Sequence, residues 1–222
     1  MRGVKAARLV MSFLLAVLLG ASKAVYAETL SVLSPSEDDL KQWESKSFEG
    51  ETQYMLERDS DGASFLRAIS NASASGLFLK QDIDINEFPY LNWEWRSDKS
   101  LAALDEQSKS GDDYVARMYV VVDGGLFFWN TIALNYVWSS SATSKDAWPN
   151  SFAGDNAQMV PVKNASSASG TWYTEKRNLK EDFKAFFGKD ISRIDAIAIM
   201  TDTDNSKQDA QASYRNIYFS KN

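Results

Sequence analysis

The sequence contains no cysteine and no histidine. The first absence excludes disulfides, thiol nucleophiles and thiolate-held metals. The second excludes imidazole general bases, the Ser-His-Asp triad and imidazole metal ligands. Together they remove most hydrolase, oxidoreductase and zinc chemistries. Long apolar runs are also scarce. The stretch Leu9–Leu19 is mostly apolar but only eleven residues long, short of the roughly 18 that a membrane-spanning helix needs. No later stretch reaches that length. No strand–helix junction carries a Gly-rich phosphate loop, so a doubly wound nucleotide fold is disfavoured. Linkers, repeats and low-complexity blocks are missing too, and one domain is the simplest division.

The apolar run has the context of an export signal. Arg2, Lys5 and Arg8 precede it, and the small residues Val25 and Ala27 follow it. Residues 1–27 are expected to be a secretory signal peptide cleaved before Glu28, with Ala24 as an alternative end. Residues 28–222 then form the mature domain. Without cysteine it has no site for a lipoprotein anchor. The leader holds four bases and no acid, so its removal takes the formal net charge from −6 to −10. A chain of that sign without a basic run is repelled by phosphate backbones and anionic lipid. Nucleic acid is therefore not an expected partner. The expected location is the periplasm or the exterior.

What is present is alternation. Leu91, Trp93 and Trp95 face one way while Asn92, Glu94 and Arg96 face the other. Residues 114–122, 132–138 and 194–200 alternate in the same manner, the first with two largely apolar faces, as a central strand has. Weaker strand patterns cover 52–57, 64–69, 76–80, 158–163, 171–177 and 213–219. Two helices are expected. One starts near Ser34 or Ser36. The other is capped by Asn178, carries Leu179, Phe183, Phe186 and Phe187 on one stripe, and stops at Gly188. Many short strands and few helices indicate an all-β fold. The expected form is a single jelly-roll-like β-sandwich with one or two peripheral helices.

The order of local motifs resembles a bacterial domain-of-unknown-function family, number 3047. The matching stretches are Ala74-Ser75-Gly76-Leu77, Asp82-Ile83-Asp84, Pro89, Leu91-Asn92-Trp93-Glu94-Trp95 and Lys109 through Val120. Tyr136-Val137-Trp138, Trp172, Arg177-Asn178, Ile199 through Asn205, Tyr214 and Ile217 follow. The resemblance covers roughly residues 45–220. It implies an exported β-sandwich similar to the jelly-roll domains that include many carbohydrate-binding modules, and it implies no established activity. Ser206 and Lys207 stand where the pattern has Thr and Gly, and Arg215 where it has Gly. The last two loops are therefore expected to differ in shape.

Three groups could carry chemistry. Asp113 and Arg117, four apart, share a face with Tyr119 if the strand begins early. They would pin the strand's start or fix a ligand hydroxyl or carboxylate. Asp202 and Asp204 alternate in a loop, as calcium ligands do. Lys207 and Ser213 occupy positions where a full EF-hand loop needs Gly and Glu, so the alternative is a turn whose side chains bond local backbone. Calcium is the one cofactor the pattern allows. Among the seven tryptophans, Trp93 and Trp95 share a face, as do Tyr136 and Trp138, and exposed rings of this kind stack on sugars. The alternative for each is core packing. Trp129 and Trp148 lie in polar, loop-like stretches and are expected to be exposed.

The expected function is non-catalytic binding of a carbohydrate or envelope glycan through Trp93, Trp95, Asp113, Arg117, Tyr119, Tyr136 and Trp138. A carboxylate-dependent glycosidase drawing on Glu94, Asp112, Asp113, Asp202 and Asp204 is the first alternative. An interaction domain without a small ligand is the second.

Overall fold

A computed structural model describes residues 28–126, 128–143 and 146–222. The expected signal peptide lies outside them. Thirteen strands and two α-helices follow one another among the described residues. They are β1 (Thr29–Leu33), α1 (Glu37–Leu40), β2 (Glu44–Glu49), β3 (Gln53–Arg58), β4 (Ser64–Asn71), β5 (Ala74–Asp84) and β6 (Tyr90–Lys99). Then come β7 (Arg117–Val122), β8 (Ile132–Trp138), β9 (Trp148–Asn150), β10 (Gly154–Lys163), β11 (Tyr173–Asn178), α2 (Leu179–Phe187), β12 (Arg193–Asp202) and β13 (Asp209–Ser220). No helix among the described residues is long and apolar enough to cross a membrane.

The strands form two sheets packed as a sandwich. One runs β11-β6-β13-β4-β3, with β1 pairing the far half of β13. The other runs β2-β5-β12-β7-β8-β10-β9. Pairings are antiparallel except β8 with β10. The all-β sandwich expected from the alternation is the fold observed. α2 keeps its expected limits: the Asn178 side chain accepts from the N–H groups of Lys180 and Glu181, and Gly188 closes it with φ 66°. Leu179 and Phe183 bury its apolar stripe.

The core is aromatic and joins the sheets through four rings. Trp93 and Trp95 of β6 point inward, and so do Tyr136 and Trp138 of β8. Trp93 stacks on Tyr136 with centroids 5.3 Å apart, and Trp95 meets Trp138 at 5.8 Å. All four are fully buried. This corrects the expectation that they form a sugar platform. Alternation places them on common faces, but those faces look into the sandwich, where large rings lose the most water-exposed area. The Tyr136 hydroxyl donates to Asp182 Oδ2 at 2.6 Å and ties β8 to α2. Trp148 is also buried, packed with Tyr114, Val137 and Met159 over the outer side of the second sheet. Trp129 is exposed, as expected.

Candidate functional site

The outer face of the seven-stranded sheet is built by the other half of each alternation. Met118 and Val120 of β7 point into the core, so Arg117 and Tyr119 point out. Register carries the pattern sideways. Arg117 lies opposite Met200 of β12 and Tyr119 opposite Asn135 of β8. Asp202 lies opposite Ala74 of β5, and Ala133 opposite Ala157 of β10. These residues floor a cleft of about 460 Å³. Its walls are Phe48 of β2, the turn Asn150–Ala153, Asp112, and the loop residues Asp204 and Asn205.

Arg117 organises the polar side. Its Nη2 meets Asp202 Oδ2 at 2.6 Å and Asp112 Oδ1 at 3.6 Å, and donates to the Asp112 carbonyl. Its Nη1 donates to the Tyr119 hydroxyl at 2.9 Å, and the guanidinium lies 4.3 Å from the centre of the Tyr114 ring. The Asp112 carboxylate also accepts from Asn150 Nδ2 at 3.0 Å. The backbone just before Asp112 packs closely on the 105 carbonyl, and only glycine fits at 111, where a Cβ would stand 2.2 Å from the Asp105 carbonyl oxygen.

Asp113 is not the ion-pair partner of Arg117, contrary to the expected pair. β7 begins at Arg117, so residue 113 is not on its ladder and the period of two does not apply. Asp113 accepts instead from the N–H groups of Asn205 and Ser206, at 3.1 and 2.5 Å. It thereby holds the Asp202–Asn205 loop. Asp113, Asp202 and Asp204 each place a carboxylate oxygen within 4.8 Å of the others. That is a donor set an oxygen-seeking cation such as calcium could use. The same carboxylates already serve Arg117 and N–H groups, since Asp202 Oδ1 also accepts from the Tyr114 N–H at 3.2 Å.

Burial pushes the Asp202 carboxyl well above its ordinary range, against the pull of Arg117 and with help from Asp113 and Asp112. Burial and then Asp113 also raise Asp204. Burial raises the Tyr119 phenol to about 12, with Arg117 opposing. For Arg117, burial disfavours the charge, but Asp202, Tyr119 and Asp112 outweigh it and hold the guanidinium above its ordinary value.

Among the described residues, two buried polar atoms of the cleft's lining side chains have no protein partner: Asn135 Oδ1, on a residue only 1% exposed, and Arg117 Nε. Buried polar groups are normally paired with protein or water, so these two atoms are open to a further partner. At the mouth, Phe48 and Phe152 are 58% and 57% exposed, and Lys46 and Lys109 sit over their rings at 5.1 and 5.3 Å.

Of the residues chosen from sequence, Asp112, Arg117, Tyr119, Asp202 and Asp204 line the cleft. Asp113 stands behind Asp204. Glu94 belongs to the opposite sheet, where it binds Arg215 Nε at 2.7 Å and Asn216 Nδ2 at 2.9 Å, so it cannot join a cleft acid in catalysis. Phe48, Asn135, Asn150 and Phe152 were not among the sequence-derived site residues. A signal existed for Asn135, a lone amide on the outward face of a central strand. None existed for Phe48, whose strand has every position exposed and no alternation.

Comparison with known proteins follows the geometry. A family described as "Protein of unknown function (DUF3047)" matches residues 41–218. No curated protein matches. Among solved structures, the Family 11 carbohydrate-binding module from Clostridium thermocellum is 11% identical, with a TM-score of 0.45. The match covers 87% of this chain and 96% of that one. The cellulose-induced protein Cip1 is 8% identical, with a TM-score of 0.50 and coverage of 88% and 97%. At these identities the likeness is one of fold.

Proposed function

The chain belongs to the DUF3047 family, and we propose that it is an exported, non-catalytic domain that binds a carbohydrate in the Arg117–Asn135 cleft. The observation that carries this reading is Asn135: a buried carboxamide oxygen without a donor, on the floor of an open cleft. Sugars suit such a site. Their hydroxyls donate and accept at short range, and their C–H faces pack on rings such as Phe48 and Phe152. The support comes from the cleft and not from the neighbours, which share the fold alone. Carbohydrate-binding modules among them are compatible with the reading.

Binding is favoured over hydrolysis by the way the acids are engaged. A glycosidase needs two carboxyl groups facing the bond, about 5 Å or about 6.5–9.5 Å apart. Here Asp112 and Asp202 share Arg117 and are nearly fully buried, and Asp113 is held by backbone N–H groups. Asp204 is the one half-buried acid at the wall. Export and cleavage before Glu28 belong to the same proposal and rest on the leader pattern.

Titration calorimetry against a panel of oligosaccharides tests the reading. Intrinsic fluorescence is a poor reporter, because no tryptophan is among the described lining residues of the cleft. A saturable heat with one sugar class, weakened about tenfold or more by Asn135→Ala or Phe152→Ala, is expected. Absence of heat across neutral, basic and acidic oligosaccharides would overturn it.

A further inference from the structure

The cleft is unevenly supplied with charge. Asp112, Asp202 and Asp204 line it, and Asp113 stands directly behind. Arg117 is the one cation among its described lining residues. Both Nη atoms are committed to Tyr119, Asp112 and Asp202. The N–H groups that hold Asp113 cancel no charge. Asp204 is the outermost of the four and receives one N–H bond, from Asn205 Nδ2 at 3.1 Å. Lys46 and Lys109 are exposed at the mouth, where water and salt screen them from the floor. An acid cluster alone would say little. Here two lining residues, Asn135 on the floor and Arg117 beside it, also keep a buried polar atom, Oδ1 and Nε, without a partner among the described residues. The first needs a donor and the second an acceptor.

We infer that the ligand carries a protonated primary amine, seated against Asp204, with a neighbouring hydroxyl donating to Asn135 Oδ1 and an oxygen accepting from Arg117 Nε. A hexosamine with a free ammonium carries all three on one sugar. This rests on the carbohydrate reading above and narrows it. The ammonium supplies a second positive charge to a cleft whose acids outnumber its described cation. N-acetylation would remove that charge. A uronic carboxylate, sulfate or phosphate would bring a further negative charge to the site.

The test compares four tetrasaccharides on the purified protein by calorimetry: glucosamine, N-acetylglucosamine, glucose and galacturonic acid. The glucosamine oligomer is expected to bind about tenfold or more tightly than the acetylated and neutral ones, and the uronic oligomer not to bind. In Asp204→Asn, with its melting curve as the fold control, the amine preference should collapse to about twofold. Adding salt should narrow the wild-type preference in the same direction. Equal affinity for the neutral and amine-bearing oligomers, or a preference unchanged in Asp204→Asn, would overturn the inference while leaving the carbohydrate reading intact. No binding to any oligomer would overturn both.

Discussion

Arg117 Nη2 and Asp202 Oδ2 lie 2.6 Å apart with both side chains about 95% buried, one at the start of β7 and the other at the end of β12. The pair closes the sheet at the point where the cleft opens. Removing the cation would leave Asp202 and Asp112 uncompensated. Arg117→Met should therefore cost about 3–5 kcal/mol of folding stability. Asp202→Asn, which keeps the shape and removes a charge from a crowded site, should cost less. Urea unfolding of both variants measures this. A loss below about 1 kcal/mol in Arg117→Met would contradict the role assigned to the pair.

Stability should rise on mild acidification. Asp202, Asp204 and Glu106 all have folded carboxyls above their ordinary range, with burial as the leading cause. For a group raised on folding, the stability gained from protonation is full below its unfolded pKa, about 3.9 for Asp. It is lost as pH climbs through the folded value. The melting temperature should be higher near pH 5 than near pH 8, and Asp204→Asn should flatten the slope. A melting temperature that falls steadily from pH 8 to 5 would show that other carboxylates, such as Asp59 with its lowered pKa, dominate.

Calcium tests the three-carboxylate group directly. Arg117 already pairs with Asp202, and N–H groups occupy Asp113. Millimolar calcium is therefore expected to leave the melt unchanged, and EDTA to have no effect. A rise of several degrees that EDTA reverses and Asp204→Asn abolishes would assign the group as the calcium site its alternating acids suggest.

Lys207 adopts φ 56° in the loop after β12. That left-handed conformation strains a residue with a Cβ by roughly 1–2 kcal/mol, and glycine adopts it freely. The glycine expected at this position from the resemblance has a backbone reason. Lys207→Gly should stabilise the protein by about 0.5–1 kcal/mol after the entropy glycine adds to the unfolded chain. Thermal unfolding checks it, and a destabilised variant would mean the Lys207 side chain matters more than its backbone.

Much of the sandwich is legible in the sequence because β6, β7, β8 and β12 alternate and α2 carries both caps. β1, β2 and β9 are not legible. They are short or lie at a sheet edge with no regular apolar face, so nothing distinguishes them from loop. The larger gap concerns direction. A period of two says which residues share a face, but not which face meets the other sheet. Trp93 and Trp95 were grouped correctly and turned inward. Arg117 finds its closest acid in Asp202, 85 positions away, through a β7–β12 pairing that no local pattern encodes.

The strand β13 follows every other described strand in the chain, yet it lies inside its sheet, between β6 on one side and β4 and β1 on the other. During synthesis that sheet has no centre until residues 209–220 emerge. Its earlier strands meanwhile expose unpaired edges, and such long-range pairing is slow to form. The second sheet has no such dependence, because all of its strands precede residue 203, so the two layers of the sandwich are completed in order, one after the other.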